Sequence, residues 1–280
     1  MKGKIFLVAT PIGNLEDISI RAINTLKEVD IIAAEDTRQT LKLLNHFEIK
    51  KPLISYHEHN KKESGDKLIK RALDGESIAI VTDAGTPGIS DPGEDIVRLA
   101  VENNIDVFLI PGPAALIYAL VVSGISTSRF IFEGFMPREN KERRIKLQEL
   151  KNEERTIIFY EAPHRLIKTL NDMYEQLGNR KIAICRELTK KHEEILRCTL
   201  SEAIEIYSDK EPKGEYVIVI EGKNKSEIER EKQEELDKIP IEEHIQMYIN
   251  EGLSKKDAIK MVAKDRNLSK SEVYKFSLEI

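Results

Sequence analysis

Tryptophan is absent from this 280-residue chain and cysteine occurs only twice. No apolar run approaches the roughly 20 residues needed to cross a bilayer. Cys185 and Cys198 each sit alone in an apolar-alternating segment, without a CxxC or Cys/His grouping. That excludes a disulfide framework or a zinc site as the organising principle and suits a reducing compartment. The first apolar stretch, residues 5–9, is too short for a signal-peptide core and stops at Thr10-Pro11. The sequence is therefore expected to be cytoplasmic, with no membrane segment. An excess of either charge is also lacking: 44 basic residues face 49 acidic ones, for a net charge of −5. Indiscriminate coating of nucleic acid needs many cations against phosphates, so any nucleic-acid contact must be local. The best local candidate is the run 138–146, in which bases outnumber acids; an ordinary solvated helix face accounts for it equally well.

What is present describes an ordinary globular protein, 40% hydrophobic and 33% charged, long enough for two compact domains. Short apolar runs at 5–10, 31–34, 78–82 and 107–110 predict buried parallel strands. Helical spacing over 19–28, 61–73 and 94–102 fills the gaps between them. This alternation predicts a doubly wound, mostly parallel α/β domain over 1–112. A helix over 114–122 and strand-like runs at 130–135, 156–160, 182–185, 195–200 and 216–221 predict a second α/β domain with a mixed sheet, 113–222. A charged stretch, 223–240, is expected as a linker or exposed helix. Three short helices are expected over 241–280, with Ser254/Asp257 and Ser269/Glu272 as caps.

In such a sheet ligands lie beyond the carboxyl ends of the strands, and every informative motif falls there. Thr10-Pro11-Ile12-Gly13-Asn14-Leu15, Glu35-Asp36-Thr37-Arg38, the turn 83–93 and Pro111-Gly112-Pro113-Ala114-Ala115 each follow a predicted strand. The turn 83–93 holds three glycines and two prolines in eleven residues, a backbone able to approach a ligand closely while staying stiff. A tight loop leading into a helix would account for any one of these segments; four together favour a ligand site. No G-x-x-x-x-G-K-[ST] and no G-x-G-x-x-G after a strand occurs, which disfavours a kinase or an NAD enzyme.

Seven colinear segments carry a resemblance. They are TPIGNL at 10–15, AAEDTR at 33–38, HEHN at 57–60, the 83–93 turn, FYEAPHRL at 159–166, RELTK at 186–190 and KGE at 213–215. Together they resemble the tetrapyrrole-methylase-fold family and, within it, the bacterial members that methylate small-subunit ribosomal RNA. The resemblance spans 4–222, with the tail from 241 less specific. It implies S-adenosylmethionine as cofactor between the two domains, the 2′-hydroxyl of a cytidine in 16S rRNA near the decoding site of the 30S subunit as acceptor, and a homodimer. Cofactor contacts are then expected from Pro11, Gly13, Gly85, Thr86, Pro87, Ile89, Ala114, Ala115 and Tyr160. Relatives acting on corrinoids have Gly-Asp-Pro where this chain has Gly85-Thr86-Pro87, so that aspartate's role has no counterpart here.

A ribose hydroxyl is a poor nucleophile and must give up its proton. Glu35, Asp36, His57, Glu58, His59, Glu161, Glu187 and Lys213 are the acceptors available at strand ends, with Arg38, Arg165 and Arg186 suited to phosphates. Glu35 or Asp36 is expected as the base-side carboxylate, and Arg38 and His59 as substrate-positioning groups. Asp36 could equally be a helix cap. His57 and His59 lack a third ligand at fixed spacing, so no metal is expected. Methylation of a tetrapyrrole on the same fold, and a non-catalytic module using the tail as a helix-turn-helix, remain alternatives.

Overall fold

The computed structural model describes residues 2–278. Met1, Glu279 and Ile280, which the predicted first domain and helical tail include, lie outside the described residues. Two compact units are present. One gathers the residues up to Lys151 with Arg155–Glu221, and the other gathers Asn152–Glu154 with the residues from Gly222 onward.

The first unit begins with β1 (Lys4–Val8), α1 (Ile20–Glu28), β2 (Ile31–Ala34), α2 (Thr37–His46), β3 (Leu53–Ser55), α3 (Lys61–Leu73), β4 (Ile78–Val81), α4 (Gly93–Glu102) and β5 (Asp106–Ile110). Their strands form one all-parallel sheet in the order β3-β2-β4-β1-β5. Alternation sends successive residues to opposite faces. Ile5, Leu7, Ile31, Ala33, Ile78 and Ile80 pack with Leu68 of α3 and Ile96 of α4, while Val8, Ile32, Ala34, Ala79 and Val81 pack with Leu26 of α1 and Leu44 of α2. Both faces are thus covered, as a parallel sheet requires. Two elements escaped the periodicity: β3, three half-buried residues at the sheet edge, and α2. The glycine-rich turn therefore follows the fourth strand rather than the third.

The same unit continues with α5 (Ala115–Ser123), β6 (Phe130–Phe135), α6 (Asn140–Glu149), β7 (Thr156–Glu161), α7 (Leu166–Leu177), β8 (Lys181–Arg186), β9 (Glu194–Thr199), α8 (Leu200–Ser208) and β10 (Tyr216–Ile220). The second sheet runs β6-β7-β10-β8-β9, parallel only between β6 and β7. One face buries Phe159, Ile184 and Ile218 under α6, α7 and α8; the other buries Ile158, Ala183 and Val219 under Leu116, Ala119 and Leu120 of α5. Ile12 and Leu188 close the edge of that second core.

The other unit holds α9 (Lys225–Asp237), α10 (Ile241–Asn250), α11 (Lys255–Asp265) and α12 (Lys270–Phe276). α9 buries nothing, whereas Ile245, Ala258, Ile259, Val262, Ala263 and Val273 form a small core. The Ser254 hydroxyl accepts from Asp257 N, and Ser269 with Glu272 forms a reciprocal capping box.

Candidate functional site

Strand order reverses at the β1–β4 pair. β1 connects outward through α1 to β2, and β4 connects the opposite way through α4 to β5. A doubly wound sheet opens a crevice at such a switch point. The loops leaving β1 and β4 meet there: Thr10 and Gly85 exchange backbone hydrogen bonds of 2.9 and 3.0 Å, and the Thr10 hydroxyl donates to the Thr82 carbonyl at 3.1 Å. The Thr86 hydroxyl donates to the Pro113 carbonyl at 3.0 Å, tying in the loop after β5.

The turn 83–93 is braced from within by Asp91. Its Oδ1 accepts from Gly88 N at 2.8 Å and Gly93 N at 2.7 Å. Gly85 and Gly88 hold φ of +86° and +91°, a region that L side chains avoid. Burial pushes the Asp91 carboxyl above the usual carboxylate range, against the pull of the Gly88 and Gly93 N–H groups.

Beside this turn lies a cavity of about 430 Å³. Its apolar walls include Ile12, Ile89, Ala114, Ala115, Tyr160 and Leu188; Glu35, Asp83, Asp91, Glu161 and Glu215 are its carboxylates. The Tyr160 hydroxyl accepts from Leu116 N at 3.3 Å, and burial pushes its pKa above the ordinary tyrosine value. Phe132 and Phe135 meet that ring edge-on at 4.9 and 5.5 Å. Glu161 is already committed: its carboxylate accepts from Ala162 N, Arg165 Nε and the Thr169 hydroxyl at 2.8, 2.7 and 2.6 Å.

A second cavity, also about 430 Å³, opens next to the first and is lined by Thr10, Pro11, Gly13, Gln39, Lys42 and Lys190 among others. Gly13 makes this opening possible, because a Cβ there would lie 2.4 Å from Lys190 Cγ and 2.9 Å from the Leu188 carbonyl. The facing loop is held by Glu187, whose Oε1 accepts from Glu215 N at 3.0 Å and from Lys190 Nζ at 3.1 Å.

Of the expected cofactor residues, Gly85, Thr86, Ile89, Ala114, Ala115 and Tyr160 line the first cavity; Pro11 and Gly13 line the second. Pro87 is buried and lines neither. Among the expected polar residues, Glu35 reaches the first cavity, where its Oε2 accepts from the Thr82 hydroxyl at 2.6 Å. Asp36 caps α2, accepting from Arg38 N at 2.8 Å. The same carboxylate takes the Arg38 guanidinium at 3.0 and 2.7 Å, and that partner holds it down at about 2. Neither Asp36 nor Arg38 lines either of these two cavities. His59 is exposed on the loop after β3, its ring 5.9 Å from that of His57. Among the described residues no three His, Cys, Asp or Glu side chains cluster as a metal site.

The basic run 138–146 is largely neutralised. Arg143 is buried against Asp172 at 2.6 Å, Arg144 pairs with Glu175 at 3.3 Å and Lys146 pairs with Glu133. Among the described residues only Arg138 and Lys141 of that run have no acidic partner. Asp83, Leu188 and Glu215 were not singled out in the sequence, although Asp83 stands within the turn and Glu215 within KGE. Only the folded loops bring them to one wall.

A parallel doubly wound sheet joined to a mixed five-stranded sheet, with a cavity at the switch point, defines the class of fold. Residues 4–204 match the family described as Tetrapyrrole (Corrin/Porphyrin) Methylases. The ribosomal RNA small subunit methyltransferase I of Halalkalibacterium halodurans is 52% identical over 98% of this chain and 94% of its own length. The protein of the same name from Thermotoga maritima is 50% identical over 221 residues, 79% of this chain and 99% of its own length. Among solved structures, uroporphyrin-III C-methyltransferase from Thermus thermophilus, complexed with S-adenosylhomocysteine, shares the fold at 17% identity, with a TM-score of 0.56 over 78% of this chain and 97% of that one. Diphthine synthase does so at 13% identity, with a TM-score of 0.61 over 79% and 91%. The chain belongs to the tetrapyrrole methylase family, in the branch of the ribosomal RNA small subunit methyltransferase I proteins.

Proposed function

We propose that this protein transfers the methyl group of S-adenosylmethionine to the 2′-hydroxyl of a cytidine in 16S rRNA of the 30S subunit, acting in the cytoplasm as a homodimer. The observation that carries the reading is the pair of adjoining cavities at the switch point. One is mostly apolar, walled by Ala114, Ala115, Ile89 and Tyr160, and fits a cofactor with flat and aliphatic parts. The other presents Lys42 and Gln39, suited to a phosphate-bearing acceptor. The names of the relatives at 52% and 50% identity support rRNA as that acceptor.

S-adenosylmethionine supplies an electrophilic methyl on a sulfonium; what the chain contributes is position and environment. Gly85 lets backbone approach the ligand, Ala114 and Ala115 leave room beside it, and Tyr160 with Phe135 encloses it. Holding nucleophile and methyl in line supplies several kcal/mol of the roughly 7–11 available from proximity. Glu35, fixed by Thr82, places negative charge at the wall of the first cavity.

Two apolar surfaces support a second copy of the chain as partner. On α5, Ile117 and Val121 lie one turn apart and are 47% and 68% exposed; on the edge strand β5, Leu109 is 51% exposed. α5 contains no charged residue, and such a face is self-complementary in an isologous dimer. Sedimentation should give a dimer for the native chain and a monomer for Val121→Lys; a native monomer would remove this part of the reading.

The acceptor is tested by supplying methyl-labelled S-adenosylmethionine with 30S subunits lacking the modification and, separately, with uroporphyrinogen III. Label in 16S rRNA alone is expected. Label in the tetrapyrrole alone would replace the reading with tetrapyrrole methylation.

A further inference from the structure

The two cavities share a wall made of Ile12, Thr82, Asp83, Ala84 and Glu215. A group that takes a proton from an acceptor while the methyl arrives from the other side must stand at such a wall. Only Asp83 and Glu215 there are ionisable. Glu215 is matched already, its Oε2 accepting the Lys190 ammonium at 3.1 Å. Asp83 is held by one oxygen only: Oδ1 accepts from Asp36 N at 3.0 Å, and among the described residues no donor reaches Oδ2. The carboxylate is thereby oriented while one oxygen stays available.

Resting on the methyl-transfer reading above, we propose that Asp83 is the group that accepts the proton of the acceptor hydroxyl. As the hydroxyl oxygen forms its bond to the methyl carbon, the sulfur–methyl bond breaks and its electron pair returns to sulfur, leaving a neutral thioether. The O–H bond breaks in the same step, its electrons stay on oxygen, and its proton passes to Asp83 Oδ2. Charge balances, since a sulfonium and a carboxylate become a thioether and a carboxylic acid.

The surroundings suit a base. Burial pushes the Asp83 carboxyl above the usual carboxylate range, and Glu35 adds to that push. The Glu35 carboxylate stands close, accepting from Asp83 N at 3.4 Å as well as from the Thr82 hydroxyl. Asp36 acts in the same direction, while Arg38 and the Asp36 N–H oppose it. Lys42 and Lys190 line the acceptor side. A carboxylate raised toward neutrality is the better general base. Asp36 cannot take this part, being locked to Arg38 as a helix cap, and Glu161 is consumed by Arg165 and Thr169. Glu35 is therefore a positioning residue that tunes Asp83.

The full chain with Asp83→Asn keeps an oxygen for Asp36 N and changes little else. It should bind S-adenosylmethionine by calorimetry and 30S subunits by filter retention within about twofold of the native chain. Its single-turnover methyl transfer should fall by roughly a hundred- to ten-thousand-fold. In the native chain the rate should drop as pH falls through the Asp83 titration. Glu35→Gln should move that limb, and the titration of the Asp83 carboxyl followed by carbon NMR in the ligand-free protein, to lower pH. Transfer by Asp83→Asn within tenfold of native, or a loss of donor or acceptor binding in that variant, would overturn the proposal. So would an Asp83 titration that Glu35→Gln leaves in place. If native protein binds neither S-adenosylmethionine nor 30S subunits, the methyl-transfer reading itself fails, an outcome separate from a binding-competent Asp83→Asn that still transfers.

Discussion

At the scale of single residues, neighbouring carboxylates acquire different work from their surroundings. Glu35, Asp36 and Asp83 lie within reach of one backbone network, yet Asp36 is spent on α2 and Arg38. Asp83 keeps a free oxygen, and Glu35 is turned to Thr82. Asp36 titrates at about 2 in the folded chain against an ordinary 3.8. Its folded pKa is depressed, so its contribution to stability is present above 3.8 and is lost as pH falls toward 2. Asp36→Asn should lower the urea midpoint at neutral pH, and its deficit against the native chain should close across that acid window. The sequence showed that Glu35-Asp36 stood at a strand end, but which of the two faced the cavity depended on the direction of α2. Arg143 makes the same point: in a run of charge it reads as one more surface base, and it proves to be buried against Asp172.

At the scale of elements, the turn 83–93 is a braced wall rather than a slack connection. Asp91 satisfies two backbone N–H groups, and Gly93 has no room for a Cβ because Gly88 N would lie 2.5 Å from it. Asp91→Ala leaves those donors unpaired in a half-buried loop, at a cost of roughly 1–3 kcal/mol. The variant should lose about tenfold in S-adenosylmethionine affinity by calorimetry, with its far-ultraviolet circular dichroism unchanged; undiminished affinity would show that the turn does not shape the donor site. Long periodic elements such as β1, β4 and α3 were legible because burial on both sheet faces writes itself into apolar runs. β3 was not: a three-residue edge strand preceded by Pro52 has too few buried positions to leave a pattern. Gly13 stood out as a loop glycine, but its reason, the close approach of the 188–190 loop, is a contact between segments more than 170 residues apart and leaves no local trace.

At the scale of the whole molecule, the site belongs to the unit containing both sheets; every residue lining the two cavities lies within it. The Thermotoga maritima relative is matched over 99% of its length by 221 residues of this chain, as many as precede Gly222. A chain ending at Glu221 should therefore bind S-adenosylmethionine within about threefold of full length, a difference of roughly 0.6 kcal/mol; loss of that binding would assign the helical unit a part in the donor site. The seven motifs were legible as one colinear set because each sits at a strand end, whereas the adjoining pair of cavities arises only when the β1 and β4 loops meet. The most direct measurement is nucleoside mass spectrometry of 16S rRNA from unmodified 30S subunits incubated with the native chain and S-adenosylmethionine. 2′-O-Methylcytidine at a single position, approaching one per subunit, is the expected product. A methyl group on a base, or no methylated nucleoside despite saturating cofactor, would contradict the proposed function.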